Sequence, residues 1–195
     1  MIKIKKGLNI PIHGSPAEDI TDTKKSRSVG ILGKDYIGLK PTMLVEEGEK
    51  VKLGQPLLED KKNPGVIITS PAGGTIESIN RGERRSLQSI VIEIDSEEEA
   101  VQFPSFTLED ISSITSNIIR DQLISSGLWT SFRTRPYSKI PPIDSSPSNI
   151  FISALDTEPL SPNPEILINM FNEDFGFGLL ILKKLTTSPI HLSVS

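Results

Sequence analysis

Cysteine is absent from the 195-residue chain and histidine occurs only twice. The first absence excludes disulfides, thiol nucleophiles and thiolate ligation of iron–sulfur clusters. The second leaves any zinc site dependent on carboxylates, and no metal-ligand spacing is visible. No stretch approaches the ~20 consecutive apolar residues that a membrane-spanning helix needs. The opening MIKIKKGLNIPIHG lacks the apolar centre of a secretion signal. Strong positive charge is also missing: the net charge is −4, so no nucleic-acid partner is expected. Hydrophobic content of 36% and charged content of 24% are ordinary for a soluble globular chain, and the length gives room for one large domain or two small ones.

The region between Pro41 and Ile79 organises the rest. It is made of short β-rich pieces cut by Gly, Asn-Pro and Ser-Pro. Met43–Val45 meets the charged turn Glu46–Glu49, where Gly48 takes the positive φ. Val51–Leu53 ends at Gly54. Pro56–Glu59 is a strand candidate leading to a polar hairpin tip, Asp60–Gly65. Val66–Thr69 is an unbroken β-branched run and is expected to be buried on both faces. Ser70–Gly74 turns the chain, and Thr75–Ile79 alternates again. No helix of normal length fits between these breaks.

This order resembles the biotinyl/lipoyl-type barrel-sandwich hybrid. The entry pattern of such domains is matched by Val45, Gly48, Glu49, Val51, Gly54 and Leu57, and their later Ser-Pro-x-x-Gly by Ser70, Pro71 and Gly74. In true carriers the hairpin tip holds a modified lysine. Lys61 and Lys62 stand near that tip, but no Met-Lys-Met surrounds them and a Pro-Gly pair fills the far side. A solvated lysine pair is the expectation.

Along the chain, Ile2–Lys5 alternates as a short strand and Leu8–Ile12 stays extended around Pro11. Residues 13–28 read as a loop. Val29–Gly33 and Tyr36–Leu39 lead into the hybrid. Ser86–Ile94 reads as the longest strand. The basic run Arg81–Arg85 and the acidic run Asp95–Ala100 read as solvated loop faces. From Thr107 the period changes: Thr107 and Asp110 suggest a capped helix start, Ile111, Ile114, Ile118 and Leu123 carry helical spacing, and Gly127 is a stop. Residues 127–148 are loop-like. Asn149–Leu155 is expected as a buried strand. Asn163-Pro164-Glu165 starts a helix by cap, N1 proline and early acid. Glycines at 176 and 178 suggest a break, giving helices near 164–171 and 173–186. Ile190–Val194 is a last strand. Strand, helices, strand is a βαβ unit and implies a parallel sheet. The expected architecture is therefore a β-rich barrel-sandwich hybrid over 1–103, followed over 104–195 by part of a Rossmann-like α/β domain. Two strands cannot bury such helices well, so this second part reads as incomplete.

Longer strings carry a more specific resemblance: IKIKKGLNIPIHG, GKDYIGLKPTMLVEEGEKVKLGQPLLEDKKNPGVIITSPAGGTIESINRGERRSLQSIVIE, SSGLWTSFRTRPYSKIP and SSPSNIFISALDTEPLSPNPE. They resemble the A subunit of the sodium-translocating NADH:quinone oxidoreductase, over its front half only. The resemblance implies a peripheral, cytoplasm-facing subunit of the bacterial inner membrane, held by an integral membrane subunit within a six-subunit respiratory complex. That complex passes electrons from NADH through flavins and iron–sulfur centres to ubiquinone and exports sodium. The resemblance places those redox cofactors on other subunits, so this chain is expected to bind none and to be non-catalytic by itself.

A more distant resemblance is to the NADH-binding subunit of complex I, whose glycine-rich loop meets FMN and NADH. The corresponding stretch here, Gly127–Tyr137, has bulky residues in place of those glycines. Gly176-Phe177-Gly178 follows no strand. Two rival readings stand: a flavin- or NADH-binding electron-transfer subunit, or a biotinyl/lipoyl carrier. The candidate docking or quinone-proximal surface is Trp129, Phe132, Arg133, Arg135, Tyr137 and Lys139: flat rings for an aromatic ligand, cations for a carbonyl or a partner's carboxylate. The alternative for the same residues is a packed loop with internally paired arginines. Tyr36 is either a core residue or a neighbour of that loop. Asp156 and Glu158 follow a strand, where a ribose-binding acid stands in nucleotide folds, but read better as loop acids. His13 and His191 have no catalytic companions.

Overall fold

The computed structural model describes residues 11–21 and 24–194. The strand expected at Ile2–Lys5 and most of the extended segment after it lie outside the described residues. Contacts divide the chain into two units, 24–146 and one built chiefly from 147 onward.

The first unit begins with seven strands: β1 (Ser28–Leu32), β2 (Pro41–Met43), β3 (Lys50–Val51), β4 (Pro56–Asp60), β5 (Ile67–Thr69), β6 (Gly74–Arg81) and β7 (Leu87–Ile94). They form two antiparallel sheets, ordered β1-β7-β6-β3 and β2-β4-β5. Period-two alternation sets the register: Ile31 sits opposite Ile90 and Ile76 opposite Ile92. A one-residue slip between Ile76 and Ser78 leaves Glu77 unpaired and exposed. The core lies between the sheets. Val51, Ile76, Ile90 and Ile92 from one meet Leu57, Leu58 and Ile68 from the other, all at 5% exposure or less. Each such side chain stabilises by about 1.5–3 kcal/mol.

The Ser-Pro-Ala-Gly-Gly turn has a steric explanation. A Cβ on Gly74 would stand 2.0 Å from the Glu93 carbonyl oxygen, and one on Gly73 2.8 Å from that of Glu99. Only bare backbone lets β6 start across the end of β7. The buried Ser70 hydroxyl donates to the Ala72 carbonyl at 2.6 Å, closing the turn.

Two expectations about this unit change. Val66–Thr69 is not buried on both faces: Val66 and Ile68 are buried, Ile67 and Thr69 only half. The cause is the face: Val66 and Ile68 point into the core, while Ile67 and Thr69 lie on the outer face of their sheet, which is covered only in part. The helix does not start at Thr107. The Thr107 amide and hydroxyl both donate to Asp110 Oδ2 at 2.8 Å, but this closes a single 3-10 turn, Glu109–Ser112. Thr115, extended at φ −90° and ψ 159°, then breaks the chain and caps α1 (Ser116–Ser125) through the Ile118 amide. Gly127, at φ +79°, stops it as expected.

Residues 104–146, expected from the sequence as the opening of the α/β part, also contact the β-sandwich within the first unit. Thr69 donates to the Ser126 carbonyl at 3.1 Å, and Asn63 Nδ2 donates to the carbonyls of Ile140 and Pro141 at 3.2 Å each.

The second unit contains β8 (Ile150–Ser153), α2 (Pro164–Met170), α3 (Asn172–Lys183) and β9 (Ile190–Ser193). Asn163 caps α2 by accepting from the Glu165 amide at 3.0 Å, with Pro164 at N1. β8 and β9 pair in parallel, Ile150 opposite Ile190, as the strand–helix–strand order requires. The expectation of a buried β8 is corrected: Phe151 is 73% exposed. Two parallel strands offer too little cover for both faces.

Candidate functional site

The aromatic-cationic loop is built outward from Trp129. Its short 3-10 turn, Leu128–Ser131, follows directly from the left-handed Gly127. A Cβ on Gly127 would be 2.4 Å from Thr69 Oγ1, so the glycine lets the loop lie against β5. Trp129 is 4% exposed, its indole N–H donates to the Pro141 carbonyl at 2.9 Å, and Phe132 meets it edge-on with centroids 5.3 Å apart. The Arg120 guanidinium from α1 sits 5.2 Å above the ring and donates to the carbonyls of Ile143 and Ser145. Sequence reasoning misses Arg120: it lies on the helix before the loop and shows no local sign of reaching back over Trp129.

The six residues proposed from the sequence therefore separate. Trp129 is an interior anchor and Phe132 is half-buried against it. Arg133 is exposed but turns back to the carbonyls of Thr130 and Phe132. Arg135, Tyr137 and Lys139 face solvent on a closed loop, Tyr137 at 75% exposure. The loop is shut by the Thr134 amide and hydroxyl donating to the Lys139 carbonyl at 2.8 and 3.0 Å. Tyr36 answers to both descriptions offered for it. It packs on the sandwich core, and Arg133 is near enough to pull its phenol pKa down. Burial, followed by the Asp35 charge, outweighs this and leaves the pKa raised above 10.0.

The hairpin tip is occupied by its own backbone contacts. Asp60 Oδ1 accepts from the Lys40 and Lys62 amides at 3.1 and 3.0 Å, and Glu59 takes the Gly65 amide at 2.8 Å. Asn63 clamps the tip to residues 140–141, and Ile143 Cδ1 would lie 2.5 Å from a Cβ on Gly65. Lys61 and Lys62 are exposed beside this clamp.

In the second unit a cleft of about 510 Å³ opens at the carboxyl ends of β8 and β9, where open α/β sheets hold ligands. Its polar lining includes Asp156, Asn163 and Glu165. Asp156 Oδ1 accepts from the Glu158 amide at 2.9 Å, the self-contained turn of a loop acid. Pro164 has no amide to offer, and Asn163 already occupies that of Glu165. Two carboxylates beside a helix start whose first amides are missing or taken do not suit a phosphate. His191 is exposed, stacked on Phe151 at 4.7 Å and 3.3 Å from Asn149 Oδ1; His13 is exposed. No cluster of three or more potential metal ligands occurs among the described residues, and none of their helices is long and apolar enough to cross a membrane.

Residues 2–95 match the family described as the NqrA N-terminal barrel-sandwich hybrid domain, and residues 114–195 the NqrA second alpha/beta domain. The chain is 48% identical over 192 residues to the A subunit of the Na(+)-translocating NADH-quinone reductase of Yersinia pseudotuberculosis serotype O:1b (strain IP 31758). It is 50% identical over 192 residues to the same subunit from Neisseria gonorrhoeae (strain NCCP11945), and 49% over 193 residues to that of Haemophilus influenzae (strain PittGG). Each alignment takes in 98% of this chain and 43% of the relative, so the chain spans less than half the length of these proteins. With both domains and this identity in the expected order, the chain belongs to the NqrA family, the A subunits of Na(+)-translocating NADH-quinone reductases.

Proposed function

We propose that the chain acts as a peripheral, cytoplasm-facing part of a sodium-pumping NADH:ubiquinone reductase at the bacterial inner membrane. Its role is to dock on an integral membrane subunit; it carries no redox step itself. NADH, flavins, iron–sulfur centres and ubiquinone belong to the other subunits. The observation that carries this reading is the loop of Arg135, Tyr137 and Lys139, exposed and cationic yet backed by the buried Trp129. A rigid base beneath exposed cations favours protein recognition, because little ordering remains to be done on binding. The same exposed Tyr137 ring between two cations also suits a position beside a quinone headgroup.

The rival of a flavin- or NADH-binding subunit is disfavoured by the two carboxylates at the β8–β9 cleft and by the missing or taken amides at the start of α2. The rival of a swinging-arm carrier is disfavoured by the Asn63 clamp, since an arm needs an unencumbered tip. Replacing Arg133 and Arg135 together by Glu is expected to weaken co-purification with the membrane subunit. Unchanged recovery would remove this loop from the interface. An intact mass above the sequence mass, or flavin absorbance in the purified chain, would reinstate one rival or the other.

A further inference from the structure

The basic run at Arg81–Arg85 is exposed, as expected of a solvated face, but it does not stand alone. With Lys34 and Lys40 from the connection between β1 and β2, Arg81, Arg84 and Arg85 line one groove of about 600 Å³. Its floor is apolar: Ile37, Leu39, Pro41 and Leu87, with the half-buried Tyr36. The two walls are joined tightly, since a Cβ on Gly33 would lie 2.2 Å from the Leu87 carbonyl oxygen.

Three features separate this groove from an ordinary solvated turn. First, the ion pairs among the described residues, Lys50–Asp95 and Lys52–Glu99, lie elsewhere; among those residues the five groove cations have no carboxylate partner within salt-bridge range. No carboxylate is among the lining residues, although Asp35 and Glu83 stand next to them in the chain. Second, the turn that presents the arginines is held shut. The Gly82 amide donates to the Ser86 carbonyl at 2.8 Å, the Ser86 amide to that of Glu83 at 3.1 Å, and Arg81 Nη1 to that of Arg85 at 3.3 Å. Arg84 and Arg85 are both left-handed, at φ 53° and 59°, a conformation that costs free energy for non-glycine residues and is met most often at functional sites. Third, Ile37 is 55% exposed on the floor, an apolar contact awaiting cover.

We infer that this groove binds an extended, acidic segment of a partner subunit, its carboxylates meeting the arginine and lysine walls and an apolar side chain covering Ile37. Five cations from two separate loops, interleaved with apolar lining residues, suit a peptide alternating acidic and apolar residues better than a single compact anion. The inference rests on the chain being an assembled subunit, but not on the Arg133–Tyr137 loop being its contact.

The test uses the assembled complex. A photo-crosslinking residue replaces Ile37, and the crosslinked peptide is identified by mass spectrometry. A crosslink to an acidic segment of a different subunit is expected. The triple variant Arg81→Glu, Arg84→Glu, Arg85→Glu should then lose co-purification of that subunit by about tenfold or more. Reversing the acids of the mapped segment to lysine should restore it. Rescue separates lost recognition from lost folding. A crosslink to lipid, to a second copy of this chain through its Glu97–Glu99 run, or to a segment without acids would overturn the proposal, as would normal assembly of the triple variant. If the wild-type chain is found in no complex, it is the assembled-subunit reading that fails.

Discussion

The Pro141 carbonyl joins three parts of the first unit, and removing its donors should unfasten them. It accepts from the Trp129 indole at 2.9 Å and from Asn63 Nδ2 at 3.2 Å, so the hairpin tip and the aromatic loop are tied to one oxygen. Asn63→Ala removes two long hydrogen bonds, to Ile140 and Pro141, and should cost about 1–2 kcal/mol. Trp129→Phe removes one good hydrogen bond and most of the attraction to Arg120, and leaves a small void, for about 2–4 kcal/mol. Because either donor alone still satisfies the shared carbonyl, the double variant should cost more than the sum by roughly 0.5–1 kcal/mol. Urea unfolding followed by far-UV circular dichroism supplies all four corners of the cycle. With a urea dependence of about 1–3 kcal/mol per molar, Asn63→Ala should lower the midpoint by roughly 0.5–1 M. The chain has a single tryptophan, so its fluorescence reports the loop alone. In the wild type and in Asn63→Ala, the fluorescence and dichroism transitions should coincide. Strict additivity, or fluorescence that melts well before the sheets, would show that residues 104–146 are not fastened to the sandwich in this way.

Three further outcomes follow from the geometry. Gly74→Ala should cost more than about 3 kcal/mol or abolish soluble protein, because the new Cβ meets the Glu93 backbone at 2.0 Å, whereas Gly48→Ala meets nothing within 4 Å and should cost only the strain of its positive φ, about 1–2 kcal/mol; thermal melts decide between them. Tyr36 should ionise above pH 10.0 in an ultraviolet titration, and Arg133→Ala should raise its pKa further while Asp35→Asn lowers it; since the folded-state pKa is the higher, its contribution to stability is present below pH 10.0 and is lost as pH rises through the folded value. Residues 147–195 expressed alone should bind a hydrophobic dye and lack dispersed side-chain signals, because their two-stranded sheet leaves Phe151, Leu167, Met170 and Phe171 more than half exposed; sharp, dispersed spectra would refute this.

Legible in the sequence is whatever is decided by neighbours along the chain. The turns at Gly48, Gly54 and Gly65 all take positive φ. Asn163-Pro164-Glu165 starts α2, and helices expected near 164–171 and 173–186 appear at 164–170 and 172–183. Where two local signals compete, the outcome depends on distant packing. Thr107 and Thr115 both offer a cap, and Ile114, 4% exposed, is buried directly before the second. That burial fixes the chain direction at Thr115, so the helix grows from there. Likewise the β-branched composition of Val66–Thr69 announces a strand but not how far the outer face of its sheet is covered.

The candidate site shows the same division in its chemistry. Trp129, Arg133 and Tyr137 stand close together in sequence, yet one is an anchor, one is turned back and one is free. Trp129 is made the anchor by Arg120 and Pro141, residues a short-range reading has no reason to join to it, whereas Arg133 is turned back by its own neighbours' carbonyls. The run Arg81–Arg85 looks like a solvated turn for as long as Lys34 and Lys40 are out of view. Once β1 pairs with β7, the connection after β1 is carried to the loop before β7, and two weakly basic stretches become the walls of one groove. From its sequence the aromatic loop is a candidate for meeting a partner through its cations. Loop and groove alike carry exposed cations without an ion-pair partner among the described residues on a closed turn; what the groove adds is cations from two separate loops beside the exposed Ile37.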